Sequence, residues 1–297
     1  MTESRPTRAS TAGRIYLDLQ NLARRTRRNT QDLLQMYALE GFLARLADSS
    51  YAQRLVLKGG VLLAAYDARR PTRDVDLQAQ NVSGESEDVL AMICDIAARH
   101  ADDGLVYDTA AATVSTIRDQ DTYSGTRVRL EVALATAQIV INVDVNIGDP
   151  IWPAPQRIVM PGLLDRDLTL TGYPLSMVYA EKLVTMLERG LVNTRWRDFA
   201  DVYTLSGRHP VGTEDLHASA VRVADHREVA LTPLAGVLQG FAAIGQLRWA
   251  AWRRKQAADQ VPEAFADTLF AVTAFADPVF TGLTPGGAWD PGVRRWG

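Results

Sequence analysis

Apolar residues recur along this chain with two different spacings. Leu33, Leu34, Tyr37, Ala38, Phe42 and Leu46 return every three or four positions, the stripe of an amphipathic helix. With Asn29 or Thr30 as the cap, this spacing predicts a helix over 30–48, after another over 12–27. The apolar run Leu55-Val56-Leu57 then ends at Lys58-Gly59-Gly60, and an apolar-faced helix follows to Tyr66. After a polar turn comes Asp74-Val75-Asp76-Leu77, which predicts a strand, and Ser83 to Glu87 reads as a turn and cap before a helix ending near His100. Strands are expected at 105–108, 112–118, 126–134 and 138–146. The last two read as a hairpin, because Val128, Leu130 and Val132 alternate with Arg127, Arg129 and Glu131.

From Pro174 the period becomes helical. Leu175, Val178, Tyr179, Leu183, Met186 and Leu187 form one stripe, with Pro174 at its start and Gly190 just past its end. A further helix is expected between Pro262 and Pro278. Gly282 to Gly297, rich in Gly and Pro, is expected to wrap the surface or fray. The pattern predicts an α/β (α+β) domain over 1–165 and a mainly helical domain over 166–297.

The 297 residues are 47% hydrophobic, enough for one large or two smaller cores. A net charge of −3 gives no global attraction to nucleic acid. The arginines are clustered, however: Arg5, Arg8, Arg14, Arg24, Arg25, Arg27 and Arg28 in one group, and Arg248, Arg253, Arg254 and Lys255 in another. Each group is either a solvated helix face or a local phosphate-binding patch. The single cysteine, Cys94, excludes an internal disulfide and is expected to be a buried thiol. No apolar run reaches the length of a membrane span and no secretory leader is evident, so a cytoplasmic location is expected.

Asp74 and Asp76 flank one valine. On a strand they share a face, where two carboxylates repel unless a cation sits between them. Hard oxygen ligands so spaced suit Mg²⁺, which takes one or two carboxylates together with substrate phosphates. Gly59 and Gly60, with Lys58 beside them, allow close backbone approach to phosphate at a turn that opens a helix. Asp144 lies within a β-branched run and shares its face with Asn142 and Asn146. It is either a half-exposed strand residue or a third carboxylate, beside the first two, that orients or deprotonates an attacking hydroxyl. Lys182 falls inside the helical stripe, so it either snorkels outward or meets a negative partner. Asp198, in Arg197-Asp198-Phe199-Ala200-Asp201, is the candidate partner. If Lys182 neutralises the triphosphate, its replacement by Ala should lower kcat/KM for NTP and leave the melting temperature nearly unchanged. These residues together predict a Mg²⁺–nucleotide site.

The order of these motifs resembles the AbiEii/AbiGii/MenT toxin nucleotidyltransferases. Gly59-Gly60 followed by Arg70-Pro71-Thr72-Arg73-Asp74-Val75-Asp76 resembles their first motif, with Thr72 where serine is common. Asp144 resembles their third acidic position, Glu181-Lys182-Leu183 their lysine motif, and Arg197 to Asp201 their R-D-x-x-D helix. The resemblance implies a polymerase-β-like nucleotidyltransferase fold with a mixed sheet and added helices. It implies NTP as substrate with Mg²⁺ held by Asp74, Asp76 and Asp144. Lys58, Gly59, Gly60, Thr72 and Lys182 would contact the nucleotide, and Asp198 would orient Lys182 in a cleft between the domains. It implies a toxin with a cognate antitoxin and the 3′ end of tRNA as acceptor. Transfer onto a protein or small-molecule hydroxyl, and a degenerate fold kept only for partner binding, use the same residues.

Overall fold

A computed structural model describes residues 5–119, 123–164, 166–282 and 286–297. The chain forms two compact units: 1–148 with 156–172, and 149–155 with 173–297. The sheet-bearing unit extends to Gly172.

The first unit opens with helix α1 (Thr11–Thr26), whose cap Ser10 accepts from the Gly13 N–H at 3.1 Å. Of the two candidate caps for α2 (Thr30–Ala47) it is Asn29 that serves, accepting from Gln31 N–H at 2.7 Å. Strand β1 (Leu55–Lys58) runs into a short helical turn α3 (Gly59–Leu62) and a 3-10 turn over 63–66. Strand β2 (Asp74–Ala79), helix α4 (Ser86–Ala97), β3 (Leu105–Asp119), β4 (Tyr123–Leu134) and β5 (Ala137–Ile147) follow. The strands expected at 105–108 and 112–118 are one strand, broken in register between Asp108 and Thr113. Two strands that the apolar spacing does not indicate, β6 (Gln156–Met160) and β7 (Leu168–Gly172), complete the sheet. Each is five residues long and amphipathic, too short to stand out against flanking loops.

The sheet is mixed and has seven strands in the order β3-β4-β5-β2-β1-β7-β6. β2 runs parallel to β5, β1 runs parallel to β7, and the other pairs are antiparallel. Val75, Leu77, Ile141, Val143 and Val145 are buried, and α2 packs against β5 and β7. Side-chain alternation then sends Asp74, Asp76, Asn142 and Asp144 to the other face of the sheet. A buried pair fixes α2 to the start of β3. Arg45 donates to Asp103 through both terminal nitrogens, at 2.5 and 3.1 Å, with side chains only 3% and 7% exposed. Cys94 is half-buried, with its sulfur 3.8 Å from the Thr109 carbonyl oxygen.

The second unit comprises α5 (Leu175–Arg189), α6 (Trp196–Ser206), α7 (Thr213–His226), the short α8 (Leu234–Val237), α9 (Phe241–Gln256) and α10 (Phe265–Phe280). Trp196, Phe199, Phe241 and Phe265 stack around one another at its centre. Residues 283–285 of the terminal segment lie outside the described residues, and 286–297 are anchored. A two-stranded pair, β8 (Trp289–Asp290) with β9 (Arg295–Trp296), carries Trp289 into the core, where its indole N–H donates to the Ser206 carbonyl at 2.6 Å. Packing among the rings of Trp289, Trp296 and Phe275 supplies the anchorage that Gly and Pro withhold. Among the described residues, no helix is long and apolar enough to cross a membrane.

The Arg45–Asp103 pair sets a stability prediction. Asp103→Ala leaves a buried guanidinium charge uncompensated and also removes the acceptor for the Leu105 N–H. It should cost about 3–5 kcal/mol, read as a lower urea midpoint at unchanged slope. A loss under about 1 kcal/mol, the range of an exposed pair, would contradict this.

Candidate active site

The register of the sheet places four charged residues in one row across the face that carries Asp76. Lys58 of β1 pairs with Asp76 of β2, Asp76 with Asp144 of β5, and Asp144 with Arg127 of β4. Two anions therefore stand side by side with a cation at each end. Two residues back along β2, Asp74 pairs with Asn142.

Each carboxylate has its own surroundings. Asp144 is buried and accepts from Arg127 through both oxygens, at 2.7 Å each. That hydrogen bond raises the Arg127 guanidinium further above its ordinary range, against the opposing effect of burial. Asp74 accepts from the Asn142 side-chain amide at 2.8 Å and lies 4.0 Å from Arg127. Asp76 is the least favourably placed as an anion. Burial and the neighbouring Asp144 push its pKa from 3.8 to about 6, with Asp74 adding to the rise. Lys58 and a long 3.4 Å hydrogen bond from the Gly60 N–H only partly oppose this.

The two glycines serve that crowding. Gly59 has φ +67, and a Cβ there would collide with the Asp76 carboxylate. Only glycine meets both conditions. A Cβ at Gly60 would lie 3.0 Å from Thr72 Oγ1, and the Thr72 hydroxyl reaches toward the Asp74 carbonyl at 3.4 Å. Lys58, Gly59, Gly60 and Thr72 thus stand around Asp74 and Asp76. The Gly60 N–H is directed at Asp76.

Among the described residues, no group of three or more His, Cys, Asp or Glu side chains is disposed to hold a metal ion. Asp144, expected as a third ligand, has Arg127 on both its oxygens. Asp74 and Asp76 nevertheless fit a divalent cation as a pair. They are hard oxygen donors on one strand face, and one of them is disfavoured as an anion until positive charge arrives. Mg²⁺ needs no more from the protein than one or two carboxylates.

Lys182 belongs to the second unit and meets negative partners there. Its ammonium donates to Asp198 Oδ1 at 2.7 Å and Asp201 Oδ2 at 2.8 Å, with the three side chains 12%, 7% and 7% exposed. Arg195 Nε adds a bond to Asp198 Oδ2 at 2.8 Å. Burial raises the Asp198 carboxyl, but the charges of Lys182 and Arg195 outweigh it and hold the pKa at about 2. Lys182→Ala would take a cation away from two buried carboxylates, so its removal cannot leave stability nearly unchanged.

The role of Arg127 depends on hairpin register and is not visible in the sequence. Strands ending at 134 and resuming at 138 would oppose Arg127 to Val145. The actual loop is two residues, Ala135-Thr136, so Leu134 faces Ala137 and Arg127 faces Asp144. Ala135 takes φ 52 without being Gly, Asn or Asp, so the usual composition signal of a tight hairpin is missing.

A mixed sheet bearing paired carboxylates beside a Gly-Gly turn defines the nucleotidyltransferase class of fold. The sequence profile of the AbiEii family, nucleotidyl transferase toxins of type IV toxin–antitoxin systems, matches residues 41–271. The chain belongs to that family. A solved structure of a candidate nucleotidyltransferase from H. pylori has the same fold, with TM-score 0.52 and 16% identity over 86% of this chain and 98% of that one. JHP933 from Helicobacter pylori aligns with TM-score 0.46 and 16% identity over 86% of this chain and 94% of that one. No curated protein matches the sequence.

The raised Asp76 pKa has a defined consequence for stability. Folding carries no penalty from Asp76 below about pH 3.8 and acquires one as pH rises through about 6. A rise of that size corresponds to about 3 kcal/mol. In chelator, Asp76→Asn should therefore be more stable than wild type at about pH 7.5, by about 1–3 kcal/mol. The gain should vanish below about pH 4. Equal or lower stability of the variant at the higher pH would contradict the crowding.

Proposed function

We propose that this chain is a Mg²⁺-dependent nucleotidyltransferase toxin that transfers a nucleotide from an NTP to the 3′ end of tRNA, releasing pyrophosphate and blocking translation. The observation that carries this reading is the Asp74–Asp76 pair, packed on one strand face against Gly59 and Gly60. Family membership supports the transfer chemistry and the presence of a cognate antitoxin as partner.

Asp74 and Asp76 would hold the metal, which when bound lowers the charge on the reacting phosphate and steadies both attacking and leaving oxygens. The chain's own groups do the rest. Asn142 fixes the rotamer of Asp74. Arg127 fixes Asp144, whose oxygens each retain a lone pair for a hydroxyl. Taking that proton would break the bidentate pair, so Asp144 orients the nucleophile rather than deprotonating it. Lys58, Gly59, Gly60 and Thr72 supply the phosphate contacts around the pair. Lys182 keeps its proposed part in neutralising triphosphate charge, with Asp198 and Asp201 holding the ammonium in place.

Labelled NTP, Mg²⁺ and purified tRNA test the reaction directly. Label should appear on tRNA with a free terminal hydroxyl and not on tRNA whose hydroxyl is removed. Asp74→Asn and Asp76→Asn should each lower the rate at least ~10²–10³-fold, the scale of removing one electrostatic stabiliser. Label on protein instead would transfer the reading to a protein acceptor. No transfer to any acceptor would leave a partner-binding module.

Lys182 gives a second, separable test. Lys182→Ala should lose about 3–5 kcal/mol of stability by exposing the Asp198 and Asp201 charges to each other. It should also lower kcat/KM for NTP per folded molecule. Lys182→Arg should recover stability more than activity, and Asp198→Ala should combine non-additively with Lys182→Ala. Full activity per folded Lys182→Ala molecule would remove Lys182 from the mechanism.

A further inference from the structure

A cavity of about 820 Å³ in the first unit lies against α1 and α2 and the loop between β6 and β7, and is not lined by Asp74, Asp76 or Asp144. Its wall includes Arg14, Arg24 and Arg25 of α1 and Arg166 of the loop. All four are exposed at the cavity surface. Among the described residues, none has a carboxylate at ion-pair distance, and Arg24 is steered only by the Asn21 side chain at 3.0 Å and the Gln20 carbonyl.

The carboxylates in the wall are already occupied. Asp18 pairs with Arg8 at 2.7 Å, Glu40 with Arg69, and Asp103 with Arg45, while Asp102 accepts from the Thr11 hydroxyl at 3.2 Å. With three of those anions paired to other cations and only Asp102 keeping its charge, the four arginines still leave a positive surplus in a concave site.

The spacing of the arginines selects the ligand. Arg14 and Arg25 are eleven residues apart, so their azimuths on α1 differ by about 20° and their positions along it by about 16 Å. A triphosphate, with its phosphorus atoms joined through single oxygens, covers only part of that length. A stacked nucleic-acid strand, advancing about 3.4 Å per phosphate, covers it with about four or five phosphates. We infer that this cavity is a phosphate track for a single RNA strand. It rests on the reading of the acceptor as RNA, and assigns α1 the grip on the strand upstream of the reacting end. Glu40 links the two places, because Arg69 holds its carboxylate and precedes the Arg70 to Asp76 motif by one residue.

The test is fluorescence anisotropy with a labelled single-stranded RNA of about ten nucleotides, without NTP or Mg²⁺. Arg14→Ala/Arg25→Ala should weaken binding about tenfold or more at moderate salt. The log–log salt slope should become shallower by about 0.7 for each phosphate no longer neutralised. Arg166→Ala should weaken binding in the same direction. Because binding is read without NTP or Mg²⁺, failure of the catalytic reading leaves this result intact. Unchanged affinity and salt slope in the double variant would overturn the inference. So would displacement of the RNA by inorganic tripolyphosphate at concentrations comparable to RNA itself, since that would define a site for a small polyanion.

Discussion

The arrangement depends on two carboxylates that the sheet forces together. Parallel pairing of β2 with β5 puts Asp76 opposite Asp144, and Asp74 stands two residues away on the same face. Nothing in the backbone pairing relieves that repulsion. It is answered by side chains at the ends of the row, Lys58 on one flank and Arg127 on the other. The answer is uneven. Arg127 saturates Asp144 with two short bonds, whereas Asp76 receives a long bond from Gly60 and the charge of Lys58. One anion is fully satisfied and its neighbour is not. A carboxylate with its pKa raised to about 6 gains from added positive charge, which on the proposed function a divalent cation would supply.

The same logic, with opposite outcome, governs the second unit. Lys182 meets Asp198 and Asp201, and Arg195 joins them, so two cations face two anions. Here the charges balance locally and the Asp198 carboxyl falls to about 2 in spite of burial. The first unit's row leaves an anion unsatisfied; the second unit's cluster does not. On the proposed function, stability and activity separate at Asp76, where removing charge should stabilise, and coincide at Lys182, where removing charge should destabilise.

Much of this is legible in the chain because the chemistry is local there. Gly59-Gly60 and Asp74-Val75-Asp76 are each short enough that period and conformation follow from the residues themselves. Lys182 stands out against an apolar stripe, and its partner lies in the next helix with Asp201 one turn further along. What stays hidden is set by pairing. Arg127 looks like one solvent-facing residue among Arg127, Arg129 and Glu131 until a two-residue loop at Ala135-Thr136 fixes which strand position it faces. A one-residue difference in that loop exchanges the faces of the whole strand. Strands β6 and β7 are silent in the sequence because their apolar residues matter only once β1 exists to pair with β7. Gly and Pro content misleads at the terminal segment, since Trp289 and Trp296 gain their anchoring from Phe275 and Ser206, residues of other elements.

The central claim is that Asp76 is held poised for a divalent cation. Carboxyl-carbon NMR of the protein labelled at aspartate, titrated from about pH 3 to about pH 8 with and without Mg²⁺, measures that directly. The Asp76 resonance, assigned by its loss in Asp76→Asn, should titrate near pH 6 in chelator and fall below about pH 4 when Mg²⁺ is present. A midpoint near 6 that Mg²⁺ does not move would mean that the repulsion is real but the metal site is not.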